Sequence, residues 1–279
     1  MPPPSYASPL ERAWFHTFRG ICGLIFLFLI GPIVVIIPLA FNSEPYFTYP
    51  MAGYSTRWYE VLFGDSPQSL LWQRSVRNSV VIGCVATLFA TILGTLAALG
   101  MSRARFAFKG AVLAVLISPI VVPIVITAVG MYYFYARIGL ASTIPGIILA
   151  HTALGVPFVV ITVTATLAGF DYNMARAGAS LGATPVRVFF KITLPLILPG
   201  VISGALFAFA TSWDEIVVVL FLASVEQHTI PRRMWSGIRE LISPTILAAA
   251  SLLILLSILL MTTMELLRRR GERLRGITP

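Results

Sequence analysis

Charge is what this sequence holds least of. Only 11% of its 279 residues are charged, while 57% are hydrophobic and the mean hydropathy is +0.88. A soluble domain carries about a quarter charged residues, so the deficit excludes an ordinary soluble fold and predicts a polytopic membrane protein. Acidic residues are scarcer than basic ones, 11 against 20 Lys and Arg, which leaves a net charge of +9. Basic inner loops of a membrane protein account for such an excess, and no nucleic-acid partner is expected. The two cysteines, Cys22 and Cys84, both lie inside apolar runs, which excludes a disulfide framework. Three histidines, His16, His151 and His228, are scattered over a tail, an apolar run and a loop, so neither a metal site nor a nucleophile with its base is expected. Phosphate-cradling glycine motifs are lacking too. The chain is therefore expected to be no enzyme, to hold no cofactor or metal, and to leave any ATP to a partner.

What the sequence does have is six apolar runs, at about 20–41, 78–101, 111–135, 144–167, 201–222 and 245–267. Each is long enough to cross a hydrocarbon core of ~30 Å, which predicts an all-α membrane protein of six transmembrane helices. The transmembrane domain is expected over 18–267, between a disordered tail at 1–17 that opens with Pro-Pro-Pro and a basic tail at 268–279. The first run outlasts the ~7–15 apolar residues of a signal peptide and is read as a retained span. Between the first two runs, Trp58, Trp72 and several tyrosines predict one or two interfacial helices. Pro119 and Pro123 predict a kink in the third run, and Tyr132, Tyr133 and Tyr135 an aromatic belt at its outer end.

Positive charge is unevenly divided. One set of segments holds Arg12, Arg19, Arg103, Arg105, Lys109, Arg176, Arg187, Lys191 and the terminal Arg268, Arg269, Arg270, Arg273 and Arg275; the other holds Arg57, Arg74, Arg77, Arg137, Arg232, Arg233 and Arg239. Since the larger excess stays inside, both termini and the 171–200 loop are expected to be cytoplasmic.

That loop, DYNMARAGASLGATPVRVFFKITLPLILPG, combines charge with turn chemistry. Asp171 is expected to cap one short helix, Gly182 to end it in a left-handed conformation, and Thr184 with Pro185 to start a second. Pro195 and Pro199 weaken the backbone ladder at the entry to the fifth run. The order Ala177-Gly178, Ser180-Leu181-Gly182, then Ile192, Leu194 and Pro195 resembles the "EAA" loop of the membrane subunits of binding-protein-dependent ABC importers. Gly182, Ile192, Leu194 and Pro195 fall at the family's spacing, whereas Arg176 stands where the family has Glu and Gly178 where it has the second Ala. The resemblance implies a type I importer transmembrane domain whose coupling helices dock on a cytoplasmic ATPase. It assigns the coupling contacts to Arg176, Ala177, Gly178, Leu181, Gly182, Pro185, Arg187, Ile192, Leu194 and Pro195.

The fifth run carries Trp213-Asp214-Glu215. A carboxylate at the centre of a span costs ~2.5–3.5 kcal/mol, so two of them need a reason. At ~1.5 Å per residue Asp214 lies about 21 Å beyond Gly200, towards the outer half of the core. Two readings are open. Asp214 and Glu215 attract a cationic substrate, with Trp213 offering its ring face; or they cap a broken helix or bond to a neighbouring span. His151 likewise either bonds between spans or relays a proton, and Gly200 with Gly204 favours close helix contact. Ser212 to Leu222, Thr229-Ile230-Pro231 and Ser243-Pro244 resemble the polyamine-type permeases of the same family.

The resemblance implies one half of a translocation pathway in a bacterial inner membrane. Its expected partners are a second permease subunit, two cytoplasmic ATP-binding subunits, an external substrate-binding protein and membrane lipid. Arg232, Arg233, Trp235 and Arg239 are expected either to help receive the binding protein or to form an ordinary interfacial helix. Spermidine or putrescine is the expected cargo; opines, phosphonates or iron are alternatives, and an ion-gradient-driven transporter or channel is the rival class.

Overall fold

The computed structural model describes residues 8–46, 48–103, 107–240 and 243–274, and among these it forms helices and no strand. Residues 1–7 of the expected tail, Arg105, and residues 275–279 with Arg275 lie outside the described residues. The first helix, α1, runs Pro9–Leu39 and so begins inside the stretch expected to be a disordered tail. Its start is a capping box: Ser8 accepts from the Glu11 N–H at 3.3 Å while the Glu11 carboxylate accepts from the Ser8 N–H at 2.8 Å. None of its side chains is buried.

After α1 come the short α2, Arg57–Phe63, and the long α3, Pro67–Arg103. α3 starts eleven residues ahead of the expected second span, so Trp72 belongs to it and is buried. The third run is not one kinked helix. It breaks into α4, Lys109–Val121, and α5, Ile124–Arg137, bent by 106°. Pro123 supplies the cause, since it lacks the N–H that would carry the ladder across Val122. α6 is Ile144–Ala168, capped by Thr143, whose hydroxyl accepts from the Gly146 N–H at 3.1 Å.

α7, Tyr172–Ser180, and α8, Pro185–Val188, form the expected pair in the loop. A widened π turn at Phe189–Thr193 then joins α8 to α9, Leu194–Trp213, so residues 185–200 already belong to the helical run of the fifth span. The Leu194 N–H reaches back to the Phe189 carbonyl, five residues away. Pro195 cannot donate to the next carbonyl and its ring crowds the preceding turn, which favours the wider spacing there. α10, Val217–Leu222, and α11, Ile230–Glu240, follow, and α12, Pro244–Leu274, closes the fold. Among the described residues, five helical stretches are long and apolar enough to cross a membrane, or six if α4 and α5 count as one broken span.

The centre of the bundle is α3, α6 and α9. Its core is divided along the bundle axis: one buried cluster joins Ala90, Val159, Val163, Ile197 and Ala208, and another joins Ile82, Ala150, Leu154, Val218 and Val219. α6 and α9 approach through small residues spaced four apart on α9. A Cβ on Gly200 would come within 2.1 Å of Thr166 Oγ1, and one on Gly204 within 2.8 Å of the Val159 backbone. Such contacts cannot be relieved by a side-chain rotation alone. Gly204→Leu is therefore expected to separate the two helices and destabilise the bundle by roughly 1–3 kcal/mol. Thermal unfolding in detergent checks this, and an unchanged midpoint would contradict the seam. Of the tyrosines in the expected belt, Tyr132 and Tyr133 are exposed, whereas Tyr135 is buried in the second cluster.

Candidate functional site

Two places stand apart from the packed bundle. The first is the α7–α8 loop. Asp171 caps α7, its carboxylate accepting from the Asn173 N–H at 2.9 Å, and Thr184 caps α8 by accepting from the Arg187 N–H at 3.4 Å. Gly182 sits at φ +84°, the Gly182 N–H donates to Ala179 at 2.9 Å and the Ala183 N–H to Gly178 at 3.1 Å. These two bonds form a Schellman end, which a left-handed residue completes. Gly178 has a packing role: a Cβ there would lie 2.6 Å from Ile192 Cδ1, so the missing methyl gives Ile192 its seat.

The loop is braced on the bundle rather than free. Tyr172 OH donates to Ser102 Oγ on α3 at 2.9 Å, and Leu194 and Phe170 pack against the cluster of Ile197 and Leu167. What remains outward is apolar and basic together: Leu181 is 88% exposed, Val186, Met174 and Phe190 are also exposed, and Arg176, Ala177, Pro185, Arg187 and Pro195 lie on the surface. Large apolar side chains at the tip of a capped loop suit a protein partner better than water. A cavity of about 1130 Å³ opens behind the loop, with Arg176, Tyr172 and Lys109 on its walls.

The second place is a break in the fifth span. α9 ends at Trp213, where the Asp214 N–H makes the last helical bond to Ala210 at 3.3 Å; Asp214, Glu215 and Ile216 are non-helical, and α10 resumes at Val217. The two neighbouring carboxylates therefore have different surroundings. Glu215 is 8% exposed and its Oε1 accepts from the Val218 N–H at 2.8 Å, so it caps α10. Asp214 is exposed. Trp213 corrects the expectation of an open ring face: it is buried, stacked on Phe209 with centroids 5.5 Å apart, and belongs to a third cluster with Trp72 and Ile230.

Polar groups from other helices hold both sides of the break, and those beyond it were missed in the sequence. His151 Nδ1 and Ser212 Oγ share a hydrogen bond of 2.7 Å between α6 and α9, as the between-spans reading of His151 expects. Beyond the break, Asn78 Nδ2 donates to the carbonyls of Glu226 and His228 at 2.8 and 3.1 Å, and Ser79 Oγ accepts from the Ile230 N–H at 2.9 Å. Nothing in the local sequence marks Asn78 or Ser79, because both read as the polar start of an apolar run. Burial and the nearby Arg232 and Arg233 push the His228 imidazole down to about 4, so it is neutral at neutral pH. Among the described residues no group of His, Cys, Asp and Glu could hold a metal.

A helical membrane bundle with a braced, outward apolar loop at one end and an interrupted span near the other defines the membrane domain of a transport system. The chain belongs to the family described as binding-protein-dependent transport system inner membrane component, whose model matches residues 90–273. It is 33% identical over 249 residues to the spermidine/putrescine transport system permease protein PotC of Haemophilus influenzae, covering 89% of this chain and 95% of that one. It is 35% identical over 237 residues to the putrescine transport system permease protein PotI of Escherichia coli K12, covering 82% of each. A bacterial ABC transporter involved in the import of the polysaccharide alginate has the same fold, with a TM-score of 0.76 at 15% identity, covering 94% of this chain and 99% of that one. The MetNI methionine ABC transporter matches with a TM-score of 0.57 at 19% identity, covering 77% of this chain and all of that one. The chain is thus a multi-pass permease subunit of an ABC importer.

Proposed function

We propose that this permease imports a polyamine such as spermidine or putrescine, as half of a pathway completed by a second permease subunit. Two cytoplasmic ATPase subunits drive it and an external binding protein delivers the cargo. The observation that carries the substrate reading is the break in the fifth span, which leaves one carboxylate, Asp214, exposed while its neighbour is engaged as a cap. A cation entering a membrane pathway gives up hydration, and an anionic side chain on an unwound turn offsets that loss. The names of the relatives, spermidine and putrescine permeases, support the same cargo.

In this reading the protein lies in the bacterial inner membrane with both termini and the α7–α8 loop in the cytoplasm, the sidedness that its lysines and arginines favour. Arg176, Ala177, Gly178, Leu181, Gly182, Pro185, Arg187 and Pro195 meet the ATPase, while Ile192 and Leu194 brace the loop from behind. ATP binding closes the ATPases, shifts α7 and α8, and turns the pathway outward; hydrolysis returns it. The exposed faces of α1 are left for lipid and for the second permease.

Vesicles holding the chain with its co-purified subunits test this. Spermidine uptake is expected to need ATP and binding protein and to be indifferent to proton and sodium gradients. Uptake that follows a gradient without ATP would overturn the proposal in favour of a secondary transporter. A cysteine at Arg187 is expected to react with a membrane-impermeant maleimide only from the cytoplasmic side; labelling from outside would refute the orientation.

A further inference from the structure

We infer that His151 is a positioning residue for the translocation pathway: through Ser212 it holds the last turn of α9 and so fixes where Asp214 stands. The inference rests on Asp214 being a pathway residue, as argued above, and adds the element that places it.

The seam between α6 and α9 explains why the hold falls at this point. Along α9 the contacts with α6 recur every four residues: Gly200 against Thr166, Gly204 against Thr162 and Val159, Ala208 against Gly155, and Ser212 against His151. The first three are close contacts of small residues. The fourth is a hydrogen bond of 2.7 Å, and it falls two residues before Asp214, where helical bonding stops. A helix end has carbonyls without intrahelical donors and frays unless something lateral holds it. Here a side chain from another span does so. Downstream, Glu215 caps α10, and Asn78 and Ser79 fasten the segment that follows. Asp214 is therefore suspended between two fixed points.

The chemistry of the position agrees. His151 is 1% exposed and its helical neighbours Ile147, Ala150 and Leu154 belong to a buried apolar cluster. Its Nε2 is buried without a partner. An aliphatic side chain would fill that seat without burying ring nitrogens, so what the imidazole adds is its bond to Ser212. The Nδ1 end makes the contact, and the amide of an asparagine reaches about as far. Asparagine should therefore substitute where leucine cannot.

The test uses the assembled transporter in vesicles, with spermidine uptake, ATPase stimulation and the amount of inserted protein measured for each variant. His151→Leu and Ser212→Ala are each expected to raise the KM for spermidine by ~5-fold or more, with inserted protein unchanged. The double variant should be no worse than either single one, because both remove the same bond. His151→Asn should return KM to within ~2-fold of the parent. Should His151→Leu fold poorly, Ser212→Ala and His151→Asn carry the comparison, since they remove or replace few atoms. Effects that multiply in the double variant would overturn the inference, as would an unchanged KM in Ser212→Ala beside a raised one in Asp214→Asn. If Asp214→Asn leaves uptake unaltered, the pathway reading fails, and the placement is decided separately by labelling. An Asp214→Cys thiol should then react with a charged maleimide at a rate that His151→Leu alters and His151→Asn does not. Equal rates in all three backgrounds would refute the placement.

Discussion

Replacing Gly182 with valine is expected to cut ATP-driven uptake by about tenfold or more while the protein remains inserted and folded. The reason is conformational and not steric. Gly182 holds φ +84°, yet nothing lies within 4 Å of where a Cβ would be. A residue with a Cβ in the left-handed region costs ~1–2 kcal/mol, and a β-branched one has less freedom to relieve it. Valine would draw the backbone out of that region and dissolve the bonds from Gly182 to Ala179 and from Ala183 to Gly178. The turn sets the direction in which Thr184 and Pro185 launch α8, so α7 and α8 would no longer present Leu181 and Val186 together. Asparagine tolerates the left-handed region, and the space around Gly182 admits it, so Gly182→Asn should keep uptake within ~3-fold of the parent. Uptake and ATPase stimulation, measured together on vesicles, distinguish uncoupling from misfolding. A valine variant that transports at the normal rate would show that α7 and α8 are not the coupling element.

The second large effect is expected at the break. Asp214→Asn should lower spermidine uptake at low concentration by roughly 5- to 30-fold, equivalent to ~1–2 kcal/mol of lost attraction for a cation, with no fall in protein yield. Glu215 should behave in the opposite way. Glu215→Gln retains an oxygen that can accept from the Val218 N–H and should be mild. Glu215→Ala removes the cap of α10 and should cost about 1 kcal/mol of stability, seen in the unfolding midpoint. Equal effects of Asp214→Asn and Glu215→Gln on KM would contradict the division of labour that the structure gives these neighbours.

Much of the α7–α8 loop was legible in the sequence because its determinants are local. Asp171, Gly182, Thr184 and Pro185 act on backbone groups two to four residues away, and the structure forms each of the caps that they imply. The start of α1 was not read in the same way: Ser8, Pro9 and Glu11 form a capping box inside the stretch whose leading prolines pointed to a disordered tail. Apolar runs located the spans but not their interruptions. Val217–Leu222 is as apolar as the stretch before it, so hydropathy reads the run as continuous across 214–216, and only the pair Asp214 and Glu215 pointed to the broken helix found there. Likewise Pro119 and Pro123 promised a bend in the third span without its size, because the angle depends on what α4 and α5 pack against.

By itself, then, the sequence determined the class of fold, the approximate place of the spans and the chemistry of the braced loop, since hydropathy, charge asymmetry and capping act within one run or one turn. Tertiary structure alone decided which carboxylate is exposed, why Trp213 is closed off, and that His151 meets Ser212. Those outcomes depend on groups brought together from distant parts of the chain, 61 residues apart in the case of His151 and Ser212. No pattern of neighbours along the chain encodes such a meeting, because it follows from the close approach of α6 and α9 along their seam of small residues.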